Sequence, residues 1–231
     1  MKILALESSA VSASVALCDG ERLIAQSFQN SGLTHSRTLL PMVEDLLKNC
    51  GKTMGDVECI AVSAGPGSFT GLRIGIATAK GLAWANNLPC APCSTLEAMA
   101  WQMAHMEGEI CCVMDARRSE VYNARFLAHS GFITRLTPDR AISIENLGLE
   151  LKKEQILVGD GAELCYNTMR TLGVPLKLAP PHLRHQTAWG VARLAEELAR
   201  AGKLVSADAL NPSYHRLSQA ERERNEKEAR S

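Results

Sequence analysis

Apolar residues fall along this chain in two rhythms. Short unbroken runs mark strands buried on both faces, and stripes at three- and four-residue spacing mark helices. The first unbroken run, Lys2-Ile3-Leu4-Ala5-Leu6, ends in Glu7-Ser8-Ser9. Strands are predicted over about 12–18 and 22–28, joined by a turn at Asp19-Gly20. A helix over 36–50 places Leu39, Leu40, Val43, Leu46 and Leu47 on one face, with Met42 off it. Thr34 and Ser36 are its candidate caps, and Pro41 lies near enough to the start to be tolerated with some bending. A strand over 59–64 runs into Gly65-Pro66-Gly67-Ser68-Phe69-Thr70-Gly71, followed by a helix to about Asn86, a short strand near Cys90 and a helix over 95–104.

The same order then restarts. Residues 110–114 read as a buried strand ending in Asp115, followed by the loop Arg117-Arg118-Ser119-Glu120, a strand over 121–127 and a turn at Ser130-Gly131. Later, Ile156 to Val158 precede Gly159-Asp160-Gly161 and a helix to about Leu172, and a last amphipathic helix spans 187–201 with Val191, Leu194, Ala195 and Leu198 on its stripe. Two rounds of strands followed by alternating helices and strands predict duplicated α/β lobes with mixed sheets, the second reduced. The expected division is 1–105 for the first lobe, 106–218 for the smaller second lobe, and 219–231 for a mobile charged tail.

With 231 residues, 46% hydrophobic and 22% charged, the chain has the balance of a globular fold with a real core. Its 25 basic and 25 acidic side chains cancel. A protein that grips nucleic acid alone usually carries net positive charge, so any link to RNA is expected to be indirect. The apolar runs fall far short of the ~20 residues that cross a bilayer, and Glu7 interrupts the start too early for a secretory segment. A cytoplasmic location is expected, with the eight cysteines reduced. Cys90, Cys93, Cys111 and Cys112 invite a zinc reading, but their spacing fits no common zinc ribbon and they lie in buried runs, so they read as core thiols.

The glycine-rich turn leading into a helix presents backbone N–H groups suited to an anion, with Gly65, Gly67, Ser68 and Thr70 as the candidate contacts. It lacks the Lys-Ser or Lys-Thr of a Walker A loop, and the plainer reading is a tight chain reversal. On the helix that follows, Gly71, Gly75, Thr78, Leu82 and Ala85 form one stripe and Leu72, Ile76, Ala79 and Ala83 another. Two stripes imply two packing partners, and the small one admits a close helix, either that of 36–50 or one from another protein. Glu7 and Asp115, ending matching strands, are placed to face each other across a cleft, where carboxylates hold magnesium or orient water. Asp115 has the alternative of pairing with Arg117 or Arg118 in its own turn. The histidines form no evident site.

Four stretches together, Glu7-Ser8-Ser9, the run from Gly65 through Arg73 to Gly75, Asp115 through Tyr122, and Asn211 through Arg216, make the chain similar from residue 2 to about 221 to the TsaB (YeaZ) family of bacterial tRNA threonylcarbamoyladenosine biosynthesis proteins. The resemblance implies an actin/Hsp70/hexokinase-like (ASKHA) fold and a non-catalytic role beside TsaD, the transferase, and TsaE, an ATPase. Where TsaD carries two metal-binding histidines, this chain places Thr95 and Met99, which are poor substitutes for imidazole. The run His105-Met106-Glu107-Gly108-Glu109 copies the letters of that metal motif at the wrong position. No metal and no cofactor is expected beyond weak ATP or ADP binding.

The resemblance also implies pairing with TsaD, or with a second copy, through the first two helices. The candidate interface residues are Leu39, Met42, Val43, Leu46, Gly71, Arg73, Gly75, Thr78 and Leu82. tRNA is expected to join only through the complex. The rival readings are an ATP-binding enzyme acting alone, with Glu7 and Asp115 near magnesium, and a metalloprotease-like hydrolase.

Overall fold

Strand β1 (Lys2–Glu7) is paired on both edges and covered on both faces, which is why its sequence shows no alternation. It runs antiparallel to β2 (Ala13–Asp19) and parallel to β4 (Cys59–Gly65). With β3 (Arg22–Gln29) outside β2 and β5 (Cys90–Ser94) outside β4, these strands make a five-stranded mixed sheet. The computed structural model describes residues 1–214, so the tail 219–231 lies outside the described residues.

Leu4 and Leu6 point to one face of this sheet, where α1 (His35–Asn49) and α2 (Phe69–Asn86) pack through Leu39, Val43, Leu46, Ile76 and Ala83. Ile3 and Ala5 point to the other, against α6 (Ala188–Arg200) with Val191, Leu194 and Ala195. Each fully buried leucine or isoleucine here contributes about 2 to 3 kcal/mol of hydrophobic stabilisation. Pro41 lies inside α1 on its exposed side and takes one donor from the helical ladder there.

The second sheet repeats the order of the first. Its path is β11 (Leu176–Leu178), β10 (Gln155–Val158), β6 (Gly108–Asp115), β7 (Glu120–His129) and β8 (Phe132–Arg135). Central β6 pairs antiparallel with β7 and parallel with β10, as β1 does with β2 and β4. Two helices, α4 (Ile144–Glu150) and α5 (Ala162–Met169), stand where α1 and α2 stand in the first lobe. The short strand β9 (Arg140–Ser143), helix α4 and strand β11 were not among the expected elements.

Between the sheets lie α3 (Thr95–Gln102) and α6, in contact with each other. Leu96, Met99 and Met103 join the core of the second sheet, while Ala98 and Trp101 join that of the first. Helix α6 packs on the first sheet although it follows the second in the chain.

The four cysteines of the zinc reading sit on two different sheets, Cys90 and Cys93 on β5 and Cys111 and Cys112 on β6, all buried. Burial pushes the thiols of Cys59 and Cys111 up to about 12 and that of Cys18 to about 11. Cys50, at the end of α1, is the one cysteine not fully buried. An aromatic disulfide reagent is therefore expected to titrate one thiol quickly in the native protein and the other seven only in denaturant. Rapid reaction of two or more thiols contradicts the burial described.

Candidate functional site

The glycine turn is filled by its own chain. Gly67 and Gly71 lie against the backbone carbonyls of Ser9 and Ser8, Gly75 against the Ser8 hydroxyl, and Gly65 against the carbonyl of Ser213. A Cβ at Gly71 collides with the Ser8 carbonyl, so only glycine lets α2 approach the β1–β2 turn this closely. The Ser68 amide donates to the Ser9 carbonyl at 2.6 Å, the Leu72 amide to the Ser68 carbonyl at 2.8 Å, and the Gly71 amide to the Ser68 hydroxyl at 3.3 Å. Of the expected anion contacts, Gly65 is backed by Ser213 and Gly67 by Ser9, while Ser68 and Thr70 stay exposed.

The two acids are held by separate partners. Glu7 is 1% exposed; it accepts from the Ser9 amide at 2.6 Å, the Ser9 hydroxyl at 2.5 Å and the Ser63 hydroxyl. Burial lifts its carboxyl above the ordinary 4.5, against the opposing pull of the Ser63 and Ser9 donors. It faces the interior and not a cleft, which corrects the expectation for Glu7. Asp115 accepts from the Arg117 amide at 2.7 Å and from its guanidinium at 3.2 Å. It thereby secures a turn in which Arg117, Arg118 and Ser119 all take positive φ. The pairing within the turn is the reading the structure carries for Asp115. The sequence reading missed Asp160, whose carboxyl burial raises above its ordinary range, with the Gln186 amide donating to it at 2.9 Å.

The helices reveal a different face from the one expected. Leu39, Met42, Val43 and Leu46 of α1 are all buried in the chain's own core and present almost no surface. Gly71 and Gly75 turn inward, Leu82 packs partly against the same core, and the Thr78 hydroxyl bonds back to the Ile74 carbonyl at 2.9 Å. Of the nine candidates only Arg73 stands exposed. About a third of the way around the helix from the glycine stripe, Thr70, Ala77, Gly81 and Trp84 form an outward row along α2. Trp84 is 75% exposed and Gly81 has open space above it. Leu40 and Pro41 of the neighbouring α1 are exposed as well. The small residues at 77 and 81 leading to a tryptophan at 84 were visible in the sequence, but the glycines at 71 and 75 drew attention to the side that packs inward.

Residues 29–222 match the family model described as TsaD, tRNA N6-adenosine threonylcarbamoyltransferase. The tRNA threonylcarbamoyladenosine biosynthesis protein TsaB of Escherichia coli strain K12 is 31% identical over 222 residues, covering 94% of this chain and 95% of its own. The chain belongs to the TsaB family. Its Bacillus subtilis relative of the same name is 35% identical over 155 residues, 67% of each chain. Among solved structures, YeaZ from Pseudomonas aeruginosa superposes with a TM-score of 0.78 at 28% identity, over 92% of this chain and 99% of that one. The (R)-2-hydroxyglutaryl-CoA dehydratase component A of Acidaminococcus fermentans, at 11% identity and a TM-score of 0.52 over 87% and 99% of the two chains, shares the fold alone. The duplicated lobes of this TsaB-family chain are those of the actin/hexokinase-like architecture.

Gly71→Ala is expected to cost about 2 to 3 kcal/mol through the Ser8 collision. Gly81→Ala is expected to add about 0.5 to 1 kcal/mol, as alanine replaces an unobstructed helical glycine. Denaturant midpoints check both, and equal effects contradict the inward and outward assignment. Glu7 holds its proton more tightly folded than unfolded, so its contribution is full below about 4.5 and is lost as pH rises through the raised folded value. Glu7→Gln keeps an acceptor for Ser9 and is expected to remove that downward slope. Identical pH profiles for the two proteins contradict it.

Proposed function

We propose that this chain acts in tRNA threonylcarbamoyladenosine biosynthesis as a docking subunit that performs no chemistry of its own. It seats a TsaD-like transferase on the outer face of α2 with the adjoining α1 surface, and a TsaE-like ATPase and tRNA join the assembled pair. The observation that carries this reading is Trp84, 75% exposed at the end of a row whose other members are small. A free tryptophan beside Ala77 and Gly81 is the combination that lets a second helix lie close and gain a large aromatic contact.

The chemistry of the chain's own polar groups supports the accessory role. Thr95 and Met99, set against the transferase's two histidines, are both buried in the core around α3. Glu7 is enclosed by serines and Asp115 is tied to its turn. No helix among the described residues is long and apolar enough to cross a membrane.

A homodimer through the same face is a second reading, since an exposed row that accepts one helix also accepts its own copy. Titration calorimetry of the chain with a purified TsaD-like subunit tests the proposal. A complex is expected, and Trp84→Ala is expected to weaken it by about 2 kcal/mol or more, roughly 30-fold, with a matching loss of threonylcarbamoyl transfer. No complex, full transfer in the absence of this chain, or unchanged affinity for Trp84→Ala overturns it.

A further inference from the structure

Arg73 stands at the start of the outer face of α2, and its guanidinium is fixed by two aromatic neighbours. Its Cζ lies 3.9 Å from the centroid of the Phe69 ring, and its Nε donates to the Tyr214 hydroxyl at 3.0 Å. Tyr214 in turn stacks on Phe69, with centroids 4.7 Å apart and planes inclined by 27°. Phe69 precedes Arg73 by one helical turn, but Tyr214 arrives from the far end of the chain. It is delivered by the Ser213 amide, which donates to the Ala64 carbonyl at 2.7 Å, directly before the glycine turn.

This arrangement leaves Arg73 ordered and yet open. The residue is exposed, and among the described residues its two terminal nitrogens have neither a hydrogen bond nor an ion pair. A surface arginine ordinarily loses rotamer freedom when it binds; here stacking and the Nε bond have removed much of that freedom beforehand. With Nε engaged, the two amino groups form a planar fork whose spacing matches a carboxylate.

We infer that Arg73, oriented by Phe69 and Tyr214, receives an acidic side chain of the TsaD-like subunit, an inference that rests on the docking role proposed above. The fork is continuous with the row of Thr70, Ala77, Gly81 and Trp84, so a helix lying along that row passes over it. The surroundings favour a single carboxylate over an RNA backbone. Lys80 of α2 is half-buried with its ammonium directed to the Asp208 carbonyl at 3.4 Å, and the exposed Arg37 and Lys48 of α1 are balanced by Glu44 and Asp45. An RNA contact draws its affinity from several cations acting together, whereas one forked arginine in a charge-balanced face suits one partner acid.

Calorimetry of the full chain with the TsaD-like subunit provides the test, with the thermal transition of each variant recorded to confirm folding. Arg73→Ala is expected to weaken binding about 100-fold, and Arg73→Lys, which keeps the charge but loses the fork, about tenfold. Tyr214→Phe keeps the ring stack and removes the acceptor of Nε, and is expected to weaken binding less than Arg73→Lys. Replacing exposed acids of the partner with lysine one at a time is expected to yield a variant that restores binding to Arg73→Glu. Full affinity for Arg73→Ala alongside weakened binding by Trp84→Ala overturns this inference and leaves the docking role standing. Full affinity for both removes the docking role itself. Unchanged partner affinity with lost capture of tRNA by the assembled complex assigns the fork to a phosphate and equally overturns the inference.

Discussion

The backbone of α2 lies in contact with the turn between β1 and β2, and the rest of the molecule's outward character follows from that approach. Ser8 and Ser9 place two carbonyls and a hydroxyl where side chains of the glycine turn and of α2 would otherwise stand, and Gly67, Gly71 and Gly75 leave the room for them. The Ser68 amide and the Ser8 hydroxyl close the junction with hydrogen bonds to Ser9 and Gly71. Once these glycines are committed inward, helical geometry turns Ala77, Gly81 and Trp84 outward, because they lie about 100 to 160° around the same cylinder. An interior packing requirement thereby fixes which residues of α2 face outward.

That junction is anchored to the most buried part of the fold. β1 ends in Glu7, whose carboxyl gathers Ser9 and Ser63 from the turn and from β4, so the turn that α2 touches is itself tied to the sheet centre. Ser213 and Tyr214 return to the same place, where Tyr214 packs on Phe69 and meets Arg73. The second lobe repeats the strand order and a close glycine approach, with Gly159 and Gly161 against the Val113 carbonyl, while at the end of β6 Asp115 stabilises a left-handed arginine turn. The two lobes are similar in strand order, and in this chain the first lobe carries the exposed row of small residues that ends in Trp84.

Much of the architecture was legible because it rests on long or unbroken signals. β1 and β6 are apolar runs with a terminal acid, and α1, α2 and α6 have stripes extending over several turns. The strands β9 and β11, with four and three residues, and α4, with seven, are too short for periodicity to register. The placement of α6 on the first sheet was also hidden, since sequence order assigns it to the second lobe while packing assigns it to the first. The candidate site was less legible for a specific reason. Gly71 and Gly75 announce that something comes close, but the partner is a serine turn more than sixty positions earlier, and spacing within a helix does not name what fills the gap. The partnership of Arg73 with Tyr214 spans 141 positions and leaves no local trace.

Hydroxyl-radical footprinting of the free chain and of its complex with a TsaD-like subunit tests the central claim most directly, because it reads the exposure of Trp84 without altering the protein. Phe132, 71% exposed on the β7–β8 hairpin of the other lobe, serves as the internal reference. The account predicts that Trp84 is oxidised readily in the free chain and becomes protected in the complex while Phe132 reacts as before. Formation of the complex with Trp84 as reactive as in the free chain contradicts it.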